Sequence, residues 1–110
     1  MIRDTIDQLE SSVKQAPALK DDAKSELLGL LSRLKSEVDA LSKTNADQAT
    51  SIAGFAAVST HEATRAKPDR ELLEISLGGL SHSVSDFEES HPGLVQVVNS
   101  ISNTLSNLGI

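Results

Sequence analysis

The 110-residue chain contains no cysteine, tryptophan or tyrosine, and only two phenylalanines. Without cysteine there is no disulfide, no thiolate metal site and no thiol nucleophile. With so few aromatics, a core has to be built from Leu, Ile, Val and Ala. That composition suits long helices packed along narrow seams better than a compact globule with a thick core. No apolar run approaches the ~18 residues of a membrane-spanning helix. The segment MIRDTIDQLE places acids among its apolar residues and lacks the apolar stretch of a secretory signal. The expectation is a soluble, cytoplasmic protein of single-domain size.

Positive charge is missing from the last third of the chain. Residues 1–70 hold all ten Lys and Arg against eleven acids, whereas beyond Arg70 there are five acids and no Lys or Arg, within a net charge of −6. A nucleic-acid surface needs clustered cations to displace counterions from phosphates. The C-terminal part cannot supply one, and an anionic membrane is disfavoured for the same reason. Neither partner is expected.

What the chain does have is helical periodicity. Leu73, Leu77, Leu80, Val84 and Phe87, then Leu94, Val98, Ile101, Leu105 and Leu108, recur in steps of four and three. This is the seam of a helix packed on another helix. His91 takes the missing seam position between the two groups. Ile2, Ile6, Leu9 and Val13 form an earlier seam, closed by Ala16-Pro17-Ala18-Leu19. Leu27, Leu31, Leu34, Val38 and Leu41 form another, entered at Asp21-Asp22 with two acids at the positive end of the helix dipole. Arg33 and Glu37 are spaced as an intrahelical pair.

Between the seams stands an alanine-rich segment whose only larger apolar residues are Ile52, Phe55 and Val58. It is entered through Asn45 and Gln48, which have the form of a capping box. The predicted helices are residues 2–15, 20–43, 46–66, 69–90 and 92–108. Pro68 and Asp69 open the fourth and Pro92 the fifth, with Ser90 or His91 as its cap. Gly78-Gly79, inside the fourth, either admits a neighbouring helix or kinks its own. Pro92 interrupts the helix, and the unbroken phase across it favours two roughly collinear segments with a kink. The fold expected is all-α, a single elongated antiparallel bundle of four or five helices with heptad seams.

The C-terminal residues FEESHPGLVQVVNSISNTLSNLGI resemble the signature of a family of small bacterial helical proteins, domain of unknown function 4404. The matching positions are Phe87, Glu88, Ser90, His91, Pro92, Asn107, Leu108, Gly109 and Ile110. The stretch SIAGFAAVSTHEATRAKPDRELLEISLGGL and the leucine-rich helix before it are also similar to the longer members. The resemblance implies a small all-helical protein and brings no activity, substrate or cofactor.

Catalytic patterns are weak. His82 and Asp86 share a helical face near Ser81, Ser83 and Ser85, but a nucleophilic triad needs a serine on a strained turn beside an oxyanion hole. His61, Glu62 and Arg65 offer local pairing only. Glu88-x-x-His91 has the spacing of a di-iron half-site, which would also require inward-facing carboxylates and a second such motif. No second copy exists in the chain, so a capping or seam role for His91 is preferred. The expectation is a protein that is not an enzyme and has no cofactor. Its function would reside in an interaction surface, with a metal-binding bundle using Glu88 and His91, or a small chaperone or adaptor, as alternatives.

Two features locate that surface. The last helix carries no charge, and Gln96, Asn99, Asn103 and Asn107 lie opposite its seam. That face either contacts a protein or is an ordinary solvated face of low charge. Leu28, Leu30, Leu72, Ile75 and Val95 are surplus to the seams and are expected to stand exposed. Pairing them in a homodimer is the favoured way of covering them.

Overall fold

A computed structural model describes residues 2–17 and 19–108. It contains α1 (Ile2–Gln15), α2 (Asp21–Ser42), α3 (Ala46–Thr64), α4 (Arg70–Ser83), a 3-10 turn (Ser85–Phe87) and α5 (Pro92–Leu108), with no strand among the described residues. Ala18 of the first connection and Gly109-Ile110 of the terminal signature lie outside the described residues, as does the side chain of Ile2.

The seams are buried as their spacing requires. Leu27, Leu31, Leu34, Val38 and Leu41 of α2 are all fully buried, as are Leu94, Val98, Ile101 and Leu105 of α5. These stripes meet several neighbours, since α2 packs on α1, α3 and α5. Leu28, Leu30 and Val95, expected to be exposed, are instead partly buried against the core. Each flanks a seam, and a helix with more than one neighbour buries a wider stripe than a two-helix seam does.

The alanine-rich α3 lies at the centre and touches every other helix. Ala49, Ile52, Ala53, Ala56 and Ala63 are buried along it. Small side chains let four helices approach one axis. The box at its start does not form: Asn45 precedes α3 without a side-chain cap, and its Oδ1 accepts instead from the Thr44 hydroxyl at 2.8 Å. At α4 the cap is present, Asp69 accepting from the Leu72 N–H at 3.1 Å. The third helix stops at Thr64 rather than residue 66, because Arg65 is already extended.

The larger correction concerns residues 69–90. The fourth helix ends at Ser83, where serine hydroxyls turn back onto the backbone: Ser83 donates to Leu80 O at 2.6 Å and Ser85 to His82 O at 2.9 Å. Such bonds compete with helix continuation. The chain then passes through the 3-10 turn and reverses, so that α5 packs on α4. A continuous helix over residues 70–108 would measure about 58 Å, against a longest dimension of 37 Å. Collinear segments are therefore excluded. The expected elongation is absent too, since the radius of gyration of 12.8 Å is that of a compact domain of this length.

The N-terminal helix is held by burial of Ile6, Leu9 and Val13, and by one lysine. Lys35 of α2 reaches both Asp7 and Glu10 of α1 at 2.8 Å. Its hydrogen bonds to Asp7 and then Glu10 raise its pKa above the ordinary lysine value. A raised folded-state pKa means that the contribution is complete below the unfolded value, near 10.4, and is lost as pH climbs through the folded one. The melting temperature is accordingly expected to fall as pH rises above the ordinary lysine value, less steeply in Lys35→Met. Thermal melts followed by circular dichroism check this, and identical pH dependence in the two proteins would remove Lys35 from the account.

Candidate functional site

Glu88 and His91 do not form a helical pair. Glu88 is exposed in the turn after Phe87, and His91 sits half-buried immediately before α5. The His91 N–H donates to Phe87 O at 2.8 Å and its carbonyl accepts from the Val95 N–H at 3.3 Å. Its Nδ1 lies 2.9 Å from the Ser90 hydroxyl, and its ring meets that of Phe87 edge-on, with centroids 5.7 Å apart. The imidazole thus belongs to the reversal of the chain. Among the described residues no three His, Asp or Glu side chains converge as a metal site would need.

Gln96, Asn99, Asn103 and Asn107 are exposed along one face of α5, where the spacing places them. Gln96 and Asn99, with Glu88, Pro92, Gly93 and Val95, line an open depression of about 490 Å³. Beside it a smaller one, of about 310 Å³, is lined by Arg33, Ser36, Glu37 and Gly93. The expected Arg33–Glu37 pair is not made. Glu37 faces the start of α5 so closely that a Cβ on Gly93 would stand 3.0 and 3.1 Å from its two oxygens. The first turn of α5 has no acid of its own, so Glu37 brings negative charge from α2 to its positive end.

A third depression, of about 320 Å³, lies between α3 and α4 and is lined by Gln48, Ser51, Phe55, Gly79, His82, Ser83 and Asp86. His82 and Asp86 do share it, but the hydroxyls of Ser83 and Ser85 are committed to backbone carbonyls. Elsewhere Glu62 and Arg65 make the local pair their spacing suggests, at 2.9 Å.

The floor of this third depression resolves the question posed by the two glycines. The α4 helix runs unbroken through both, and a Cβ on Gly79 would be driven into the ring of Phe55. Gly79 is thus where α3 lays an aromatic ring on bare backbone. Gly78, one residue before it, faces open space.

Around that contact lies what sequence reasoning saw only in part. The large apolar side chains exposed among the described residues are Phe55 (39 %), Val58 (50 %), Leu72 (44 %) and Ile75 (64 %), all on α3 and α4. The two helices form a hairpin across residues 65–69, with Phe55 opposite Gly79. One turn nearer the loop, Val58 therefore stands level with Ile75, and Leu72 follows. Leu72 and Ile75 are exposed as expected. Phe55 and Val58 were missed; the signal for them is that Ile52, Ala53 and Ala56 fill the inward face of α3 and leave these two, three residues apart, to its flank.

No curated protein and no solved structure matches the chain. A family model does, and its match begins at Leu28 within α2 and takes in α3, α4, the reversal and α5. Over residues 28–110 the chain belongs to the family described as domain of unknown function DUF4404.

Proposed function

We propose that this protein is a cytoplasmic interaction module that works through its surface, by self-association, and not by catalysis. The observation that carries the reading is the exposure of Phe55, Val58, Leu72 and Ile75, all on the paired helices α3 and α4. The other large apolar side chains described are buried or partly buried against the core, so four left exposed on two adjacent helices mark a face to be covered. Residues 71–110 offer no Lys or Arg, so this part of the chain presents no cationic surface to nucleic acid or an anionic membrane. The described helices include none long and apolar enough to cross a membrane.

Light scattering on the eluting peak of a size-exclusion column tests this. The mass is expected to rise with loading concentration from that of one chain, 11.7 kDa, towards twice that value. A constant single-chain mass up to millimolar concentration would overturn it.

A further inference from the structure

Ile75 has the highest exposure of the large apolar side chains named above, and it sits mid-way along α4. It belongs to a stripe, Glu71, Ile75, Gly78 and His82, spaced by four, three and four and exposed at every position. Leu73, Ser76 and Leu80 carry the buried face of the same helix. Among the described residues neither the Glu71 carboxylate nor the His82 imidazole makes a hydrogen bond or ion pair. A Cβ on Gly78 would meet nothing within 4 Å.

Reversed, this stripe is its own complement. About a two-fold axis passing between Ser76 and Leu77, Ile75 of one copy falls on Gly78 of the second, and Glu71 falls on His82. We propose that the protein forms an isologous dimer through α4, the two copies of this helix lying antiparallel. Each Ile75 is seated on the bare backbone at Gly78 of the other copy, and each Glu71 is paired with the other's His82. The charge pattern selects this orientation, because a parallel pair would set Glu71 against Glu71 and the two helix dipoles side by side. The missing side chain at Gly78 is what lets two helices come close enough for one isoleucine to fill the gap. Phe55, Val58 and Leu72 widen the contact on the α3 side. A two-fold interface closes on itself and gives a dimer rather than a fibre.

The proposal rests on the self-association reading, and one set of measurements separates the two. Sedimentation equilibrium is run at pH 6. The full chain is compared with Gly78→Trp, Glu71→Lys, His82→Glu and the double variant Glu71→Lys/His82→Glu. The wild type is expected to dimerise. Gly78→Trp should keep the wild-type helical spectrum, its new ring pointing into open space, yet weaken dimerisation at least tenfold. Each single charge change should weaken it several-fold, and the double variant should recover most of that loss by restoring opposite charges in the reverse sense. A wild type that is monomeric at every concentration overturns the self-association reading and this proposal with it. A dimer of wild-type strength in Gly78→Trp and both single charge variants overturns the α4 interface alone. A double variant no stronger than the singles overturns the antiparallel pairing.

Discussion

Phe87→Ala is expected to destabilise the protein by about 3–5 kcal/mol, the range for truncating a buried phenylalanine. That is a large part of the roughly 5–15 kcal/mol by which a domain is stable. Phe87 is only 8 % exposed and lies in the 3-10 turn that packs on both α4 and α5. Its carbonyl accepts the His91 N–H, and its ring takes the edge contact with His91. Removing the ring opens a cavity where the chain reverses, and a backbone held by Pro92 has little freedom to close it. A fall of roughly 15–30 °C in melting temperature follows, measurable by circular dichroism. His91→Ala is the control. It gives up one ring-edge contact and one hydrogen bond to the exposed Ser90, so it should cost about 1 kcal/mol or less. Equal losses in the two variants would mean that the histidine, not the phenylalanine, holds the reversal.

The same turn shows why periodicity misjudged the reversal. From Phe87 to His91 to Leu94 the steps are four and three, so the phase is kept whether the helix continues or breaks. Periodicity reports which side of each segment is buried and says nothing about the direction of the next one. The clues that bear on direction are local: serines at 81, 83 and 85, two of which bond backward to carbonyls, and Pro92 at the first position of α5. The all-α class and the buried stripes of α2 and α5 were legible because each helix has one dominant inward face. The third helix was the faintest for a different reason: its buried face is made mostly of Ala49, Ala53, Ala56 and Ala63, and small side chains mark an inward face only weakly.

The candidate surface was legible only by halves. Leu72 and Ile75 are surplus to their seam and stand exposed, but Leu28, Leu30 and Val95 are surplus in the same sense and pack on the core. Nothing within a helix distinguishes the two groups. The distinction comes from whether another helix lies alongside, and α2 and α5 each have three helical neighbours. The outer flank of α4 has none, which leaves its apolar residues to solvent. Likewise the spacing of Arg33 and Glu37 is right for a pair, yet the Glu37 carboxylate lies against the start of α5, far away in sequence.

Two isoleucines test that distinction directly. Ile101 on α5 is fully buried and Ile75 on α4 is 64 % exposed, although both sit mid-helix in an amphipathic segment. Ile101→Ala removes fully buried side-chain atoms from α5, a helix packed on α2, α3 and α4, and should cost about 2–5 kcal/mol. Ile75→Ala removes the same atoms from a site that is mostly wet, and in the monomer should cost no more than about 0.5 kcal/mol. Urea unfolding at micromolar concentration, where a weak dimer dissociates, measures both. At high concentration the order is expected to change in kind: Ile101→Ala still weakens the fold of each chain, whereas Ile75→Ala weakens only the association between chains. A large monomer loss for Ile75→Ala would mean that this side chain is held within its own chain. The exposed side of the α3–α4 hairpin would then be part of the core and not a surface for a second copy.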